Sequence, residues 1–296
     1  MPNISTRKSV TSSTLPTFFI VGAQKSGTSP LHRLLQQHPQ AYLCDPKEPH
    51  FFSDPAIWAK GEGWYRSLFA AAGDAAAVGE ASTTYAMYPH YSGVVARLTS
   101  LIPEPRIILL VREPVARMRS AYLHALTWGS ETRPIAEALI EDPRYLLTSS
   151  YALQAEQWLA AVPRSNLLLL SLDELEADSA AVIGRVADFL GIDASWRPPV
   201  SPHIINASAG KRPPRVWWRA IGEVTLRTGN THRVPDWMAR LNDGDSRWVR
   251  RDVEPDELRV PPGVEAQLRR ALRPDQLRLS RLWGAGKTPT WLEAES

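Results

Sequence analysis

Gly22, Lys25, Gly27, Thr28 and Ser29 fall within the eight-residue run GAQKSGTS, and together they hold what an oxyanion needs. Glycines permit tight turns and a close backbone approach. Lysine brings a cation, and the hydroxyl residues open a helical stretch whose first N–H groups have no partner of their own. Set against the triphosphate loop GxxxxGK[ST], Gly22, Gly27 and Ser29 fit, but Thr28 stands in the lysine position and the lysine has moved to 25. A triphosphate site also calls for a carboxylate at a neighbouring strand end to hold Mg²⁺. The best candidate strand, RIILLV, ends in Arg112, with Ser120 about two turns into the helix that follows. An arginine and a serine so placed could grip a second phosphate, which suits a ligand with extra phosphate and no metal. The plain structural alternative is an arginine capping carbonyls and a solvated serine.

These residues need elements to position them. Strand-like apolar runs recur at 18–21, 77–82, 106–111 and 166–172. Helical stretches at 29–37, 89–100, 114–127, 150–161 and 179–190 separate them. Strand and helix in alternation imply an α/β fold, a P-loop-like central parallel sheet with helices on both faces. RIILLV and LLLL are apolar throughout, as strands covered on both faces are. After Gly191 the character changes: prolines become frequent, and Trp217, Trp218, Trp237 and Trp248 lie among arginines, which reads as a loop-rich lid region. The expected organisation is a disordered leader at 1–16 and one domain at 17–296. That domain divides into a core of about 17–195, a loop-rich insertion of about 196–262 and a C-terminal helical stretch at 263–296.

Composition narrows the function. A formal net charge of +3 over 296 residues does not point to nucleic acid. Cys44 is the only cysteine, which excludes an intrachain disulfide and a thiolate metal cluster. No segment approaches ~18 consecutive apolar residues, so no transmembrane segment is expected. The polar, Ser/Thr-rich start lacks an apolar signal core, and the expected setting is cytoplasmic.

Several ordered motifs resemble one family. GAQKSGTS is similar to the 5′-phosphosulfate loop of the sulfotransferases that use 3′-phosphoadenosine 5′-phosphosulfate (PAPS), especially the branch shared by bacterial enzymes and the heparan sulfate sulfotransferases. RIILLVREPVARMRSAY resembles their 3′-phosphate motif, with Arg112 and Ser120 eight residues apart. PKEPHFFS (46–53), GEASTTY (79–85), the stretch from Ser150 to Ile192 and the ending LRLSRLWGAGKTPTWL are also similar. The likeness covers roughly 17–195 and 263–292.

The resemblance implies metal-independent transfer of a sulfuryl group from PAPS to a hydroxyl, leaving 3′-phosphoadenosine 5′-phosphate (PAP). It places Lys25, Ser26, Gly27, Thr28 and Ser29 at the 5′-phosphosulfate and Arg112 and Ser120 at the 3′-phosphate, with Lys211 and Arg212 in a second loop over it. Lys25 would also meet the leaving oxygen. Two glutamates compete as base for the acceptor hydroxyl: Glu48, the first choice, and Glu80. Ala81 stands where several relatives carry a second lysine; Lys47 could substitute, although adjacent strand residues point to opposite faces. His50 and His124 have less claim. Phe51, Phe52, Tyr85 and Tyr88 could line an acceptor cleft or fill the core. The acceptor class stays open among small molecules, glycans and lipids, as does the oligomeric state. Two rivals remain: a nucleotide or sugar kinase with a degenerate loop, which would need ATP and Mg²⁺, and a binding module built on 210–251.

Overall fold

A computed structural model describes residues 15–198, 251–283 and 288–293. Five parallel strands form its sheet: β1 (Phe18–Gly22), β2 (Ala41–Leu43), β3 (Ala77–Ala81), β4 (Arg106–Val111) and β5 (Leu167–Ser171), in the order β2-β3-β1-β4-β5. Phe18 lies opposite Gly79 of β3 and Arg106 of β4, so β1 is central. Four of these strands match the apolar runs of the sequence. β2 escaped notice because three residues, two of them only half-buried, carry no readable period.

Side chains alternate across the sheet and both faces are covered, which explains the unbroken apolar runs. Phe18, Ile20, Ile108 and Leu110 pack against α1 (Thr28–Leu35) and α10 (Ser179–Leu190). Phe19, Val21, Ile107 and Leu109 face the opposite way. There they meet residues of α3 (Gly61–Ser67), α4 (Val94–Leu101) and α8 (Tyr151–Leu159), among them Tyr65, Leu98 and the fully buried Trp158. A short α2 (Pro55–Trp58) precedes α3, and α9 (Leu172–Ala177) leads from β5 into α10. A third apolar cluster joins α5 (Pro114–Trp128), α6 (Ile135–Glu141) and α7 (Pro143–Ser149) to α11 (Pro262–Leu282). A final turn, α12, spans Thr290–Glu293.

The helix expected at 89–100 starts only at Val94, because Gly93 adopts a left-handed conformation (φ 73°) that ends the preceding loop. Helices α2, α3, α6, α7 and α9 are additions to the sequence reading; each has seven residues or fewer, about two turns, too short for a helical period. Most of the expected leader, most of the insertion, and Trp217, Trp218, Trp237 and Trp248 lie outside the described residues. No helix among the described residues is long and apolar enough to cross a membrane.

Candidate functional site

In a parallel sheet every strand's carboxyl end points the same way, so the loops after β1, β2, β3 and β4 gather at one edge. The β1 loop turns at once. Ala23 N–H donates to the Leu110 carbonyl at 2.7 Å, and Ser26 N–H returns to Ala23 at 3.1 Å. Two glycines are required here. A Cβ at Gly22 would lie 2.8 Å from Ala86 Cβ. At Gly27, with φ +95°, it would lie 2.8 Å from Leu172 Cδ1. Thr28 opens α1, and the Thr28 and Ser29 amides in its first turn have no carbonyl within the helix to bind. Lys25 is half-buried, Ser26 and Thr28 are buried and Ser29 is exposed.

The β4 loop adjoins it. An Arg112 guanidinium nitrogen comes within 3.5 Å of the Lys25 carbonyl. Ser120 lies buried on α5, whose first turn is capped by the Glu113 carboxylate accepting from Ala116 N–H at 2.6 Å. The β4 loop therefore lies against the β1 loop through Arg112. Between them on α5 lies Arg117, only 1% exposed. Its guanidinium donates to Ser149 Oγ at 2.5 Å and to the Tyr145 carbonyl at 2.7 Å, with no carboxylate in ion-pair range among the described residues. Lys211 and Arg212 lie outside the described residues.

The two glutamates differ sharply. Glu48 follows β2 in a loop, with a left-handed backbone (φ 61°) fixed by its N–H donating to the Ala81 carbonyl at 2.9 Å. Its carboxylate, 30% exposed, takes Lys47 Nζ at 2.5 Å on one oxygen and Thr83 Oγ1 at 3.1 Å on the other; His50 Nε2 lies 3.6 Å away. Residues 44–50 are not a strand, so the expectation that Lys47 and Glu48 point to opposite faces is corrected: the positive φ turns both to one side. Glu80 is wholly buried within β3 and accepts from Tyr65 OH at 2.9 Å. Burial pushes its carboxyl up to about 7, against the pull of the Tyr85, Tyr65 and Ser82 hydroxyls. Ala81 beside it is also fully buried.

Two adjoining hollows open beside these loops. One, of about 270 Å³, runs from Gln24 of the β1 loop along the α5 face carrying Arg117, His124 and Trp128 to Arg144. The other, of about 510 Å³, is lined by His50, Ser53, Asp54 and Arg97, and both share Thr84, His90 and Tyr91. His50 thus belongs to the site more firmly than its sequence context promised: its Nδ1 lies 2.9 Å from Thr84 Oγ1, and it links Glu48 to the cleft. His124 lines the first hollow, its ring 6.0 Å from that of Trp128. Phe51, Phe52 and Tyr85 are core; Phe51 stacks on Tyr65 at 4.3 Å. Tyr88 is 38% exposed. Thr84, His90, Arg117, Trp128 and Arg144 were not singled out from sequence. Only the spacing 117, 121, 124, 125, 128, one face of a helix, could have grouped some of them.

A family model described as the sulfotransferase domain matches residues 15–208. The chain belongs to the sulfotransferase family. It is 32% identical over 188 residues to the human (Homo sapiens) heparan sulfate glucosamine 3-O-sulfotransferase 3B1, covering 60% of this chain and 46% of that protein. It is 31% identical over 208 residues to the human bifunctional heparan sulfate N-deacetylase/N-sulfotransferase 2, covering 62% and 23%. The chain therefore spans less than half the length of these relatives. A crystal structure of a sulfotransferase from Alicyclobacillus acidocaldarius superposes with a TM-score of 0.65 at 25% identity, over 94% of this chain and 99% of that one.

Sulfotransferases are enzymes that take their sulfuryl group from PAPS. The residues present fit that donor. Lys25 stands in the β1 loop just ahead of the Thr28 and Ser29 amides that lack helical partners, and the Arg112 guanidinium lies against the same loop at the Lys25 carbonyl, a donor set suited to phosphate groups.

Proposed function

We propose that this sulfotransferase moves the sulfuryl group of PAPS to a hydroxyl of a small-molecule, glycan or lipid acceptor, by metal-independent in-line transfer with Glu48 as general base. The observation that carries the choice of base is the contrast in access. Glu48 is partly exposed and joined through His50 to the cleft, whereas Glu80 is sealed under Tyr65. Bound PAPS supplies an activated sulfuryl group and departs as PAP. Glu48 accepts the acceptor hydroxyl's proton as the new O–S bond forms and the bridging S–O bond breaks. Lys25 places a cation beside the leaving oxygen, and the Thr28 and Ser29 amides add their partial charge. Arg112 and Ser120 hold the 3′-phosphate, which fixes the donor's register. Family membership favours this reading over a kinase.

Calorimetry tests the donor. PAP should bind tightly and indifferently to EDTA, with ATP much weaker; equal ATP affinity requiring Mg²⁺ would overturn the reading. Acceptors can then be screened with ³⁵S-labelled PAPS, and the names of the human relatives put heparan sulfate on that panel.

A further inference from the structure

Tyr151, the first residue of α8, is 0% exposed, yet its hydroxyl sits where the two phosphate loops come together. It donates to the Arg112 carbonyl at 2.8 Å and accepts from Arg112 N–H at a longer 3.4 Å. Arg112 lies one residue beyond the last β4–β5 pair, Val111 with Ser171, so its backbone groups have no ladder partner. Burial pushes Tyr151 up to about 12 despite the nearby Arg117 guanidinium, so the proton it donates stays in place at neutral pH. The buried Tyr151 hydroxyl thus holds the backbone of Arg112, whose guanidinium reaches the β1 loop at the Lys25 carbonyl.

Tyr151 is held from a distance. Ser150, the N-cap of α8, makes no side-chain cap bond; its hydroxyl donates to the Leu146 carbonyl at 3.1 Å instead. Asp275 of α11 does that work. Its two carboxylate oxygens accept from Ala152 N–H and Leu153 N–H, each at 2.9 Å, while the residue is 6% exposed. An N-cap usually comes from the adjoining residue. Here it comes from more than a hundred residues away, beyond the stretch that the family model matches.

We infer that Tyr151 is a positioning residue that fixes Arg112 against the β1 loop, and that Asp275 positions Tyr151 by capping α8. This rests on the reading of Arg112 as the 3′-phosphate ligand. The C-terminal helix then governs how well the enzyme recognises the donor's 3′-phosphate, although it does not touch the nucleotide through this pair.

The test is the ratio of PAP affinity to adenosine 5′-monophosphate affinity, which isolates the 3′-phosphate. Tyr151→Phe removes one hydroxyl and should lower that ratio about tenfold, the loss of one well-placed hydrogen bond acting on a charged contact. Asp275→Ala should lower it similarly. Asp275→Asn keeps one acceptor oxygen and should recover part of the loss. A fall in Tm with an unchanged ratio in Tyr151→Phe and Asp275→Ala would leave both residues merely structural and overturn the inference. Arg112→Ala is the control. If it lowers the ratio and the other two do not, the positioning inference alone fails; if it does not, the assignment of the 3′-phosphate fails and takes the inference with it.

Discussion

The proposed donor side and the proposed acceptor side of this sulfotransferase are built on different plans. The donor side is mostly backbone and buried hydroxyls: the turn at Gly22 to Ser29, the start of α1, Arg112 and Ser120, pinned together by hydrogen bonds under 3.5 Å such as Ala23 to Leu110 and Tyr151 to Arg112. The acceptor side is a cleft of side chains drawn from the β1 loop, the β2 loop, the stretch after β3, α5 and α7, several of them exposed: His90, Trp128 and Arg144. A backbone cradle tolerates little change, because Gly27 holds φ +95°, where any other side chain is strained. A cleft of side chains can be rewritten one residue at a time. On the proposed assignment, the difference teaches where specificity is free to vary: the nucleotide is read by a backbone-built edge and the acceptor by adjustable walls.

The strongest blow to that division falls where the two sides meet. Glu48→Gln keeps the shape and removes the base, so kcat should fall by at least ~10² while PAP affinity stays within about twofold. Steady-state kinetics and calorimetry check both halves. Near-normal kcat in Glu48→Gln, with Glu80→Gln inactive yet folded, would reverse the roles of the two carboxylates.

A smaller effect should sit at the rim. Trp128 is 75% exposed beside His124 and faces the cleft one helical turn beyond it. Loss of its ring contact in Trp128→Ala should raise the acceptor's KM about two- to tenfold and leave that of PAPS unchanged. An equal rise in both would break the separation of donor and acceptor walls.

The mildest test concerns Glu80, which belongs to the core. Its carboxyl is held at about 7 in the fold by burial, above the ordinary 4.5 of an unfolded chain. Between those pH values the native state keeps a proton that the unfolded state releases. Its contribution to stability is therefore full below about pH 4.5, lost as pH rises toward 7 and flat above. Glu80→Gln should flatten that part of the stability curve, measured as Tm at pH 5 and pH 8 against the parent protein. An unchanged pH dependence would mean that Glu80 is ionised in the native state at all these pH values.

Much was legible in the residues themselves. The four strands covered on both faces announced themselves because burial on both sides demands continuous apolar runs, and RIILLV has no other use. The β1 loop was legible because its chemistry is local: consecutive backbone groups, two glycines and one lysine act together wherever the chain turns. The same holds for Arg112 and Ser120, which one strand end and one helix keep in register. Only the folded chain shows how Glu48 and Glu80 differ in access. Both sit in glutamate-bearing motifs, and what separates them is burial, a property of what Tyr65 and strand β1 bring against Glu80 from elsewhere. The same reason hides the cleft and the cap of α8. Asp275 and Ala152 are more than a hundred residues apart, and nothing in either neighbourhood encodes the other. Local chemistry is written in consecutive residues, whereas contact between distant ones exists only after packing has chosen their neighbours.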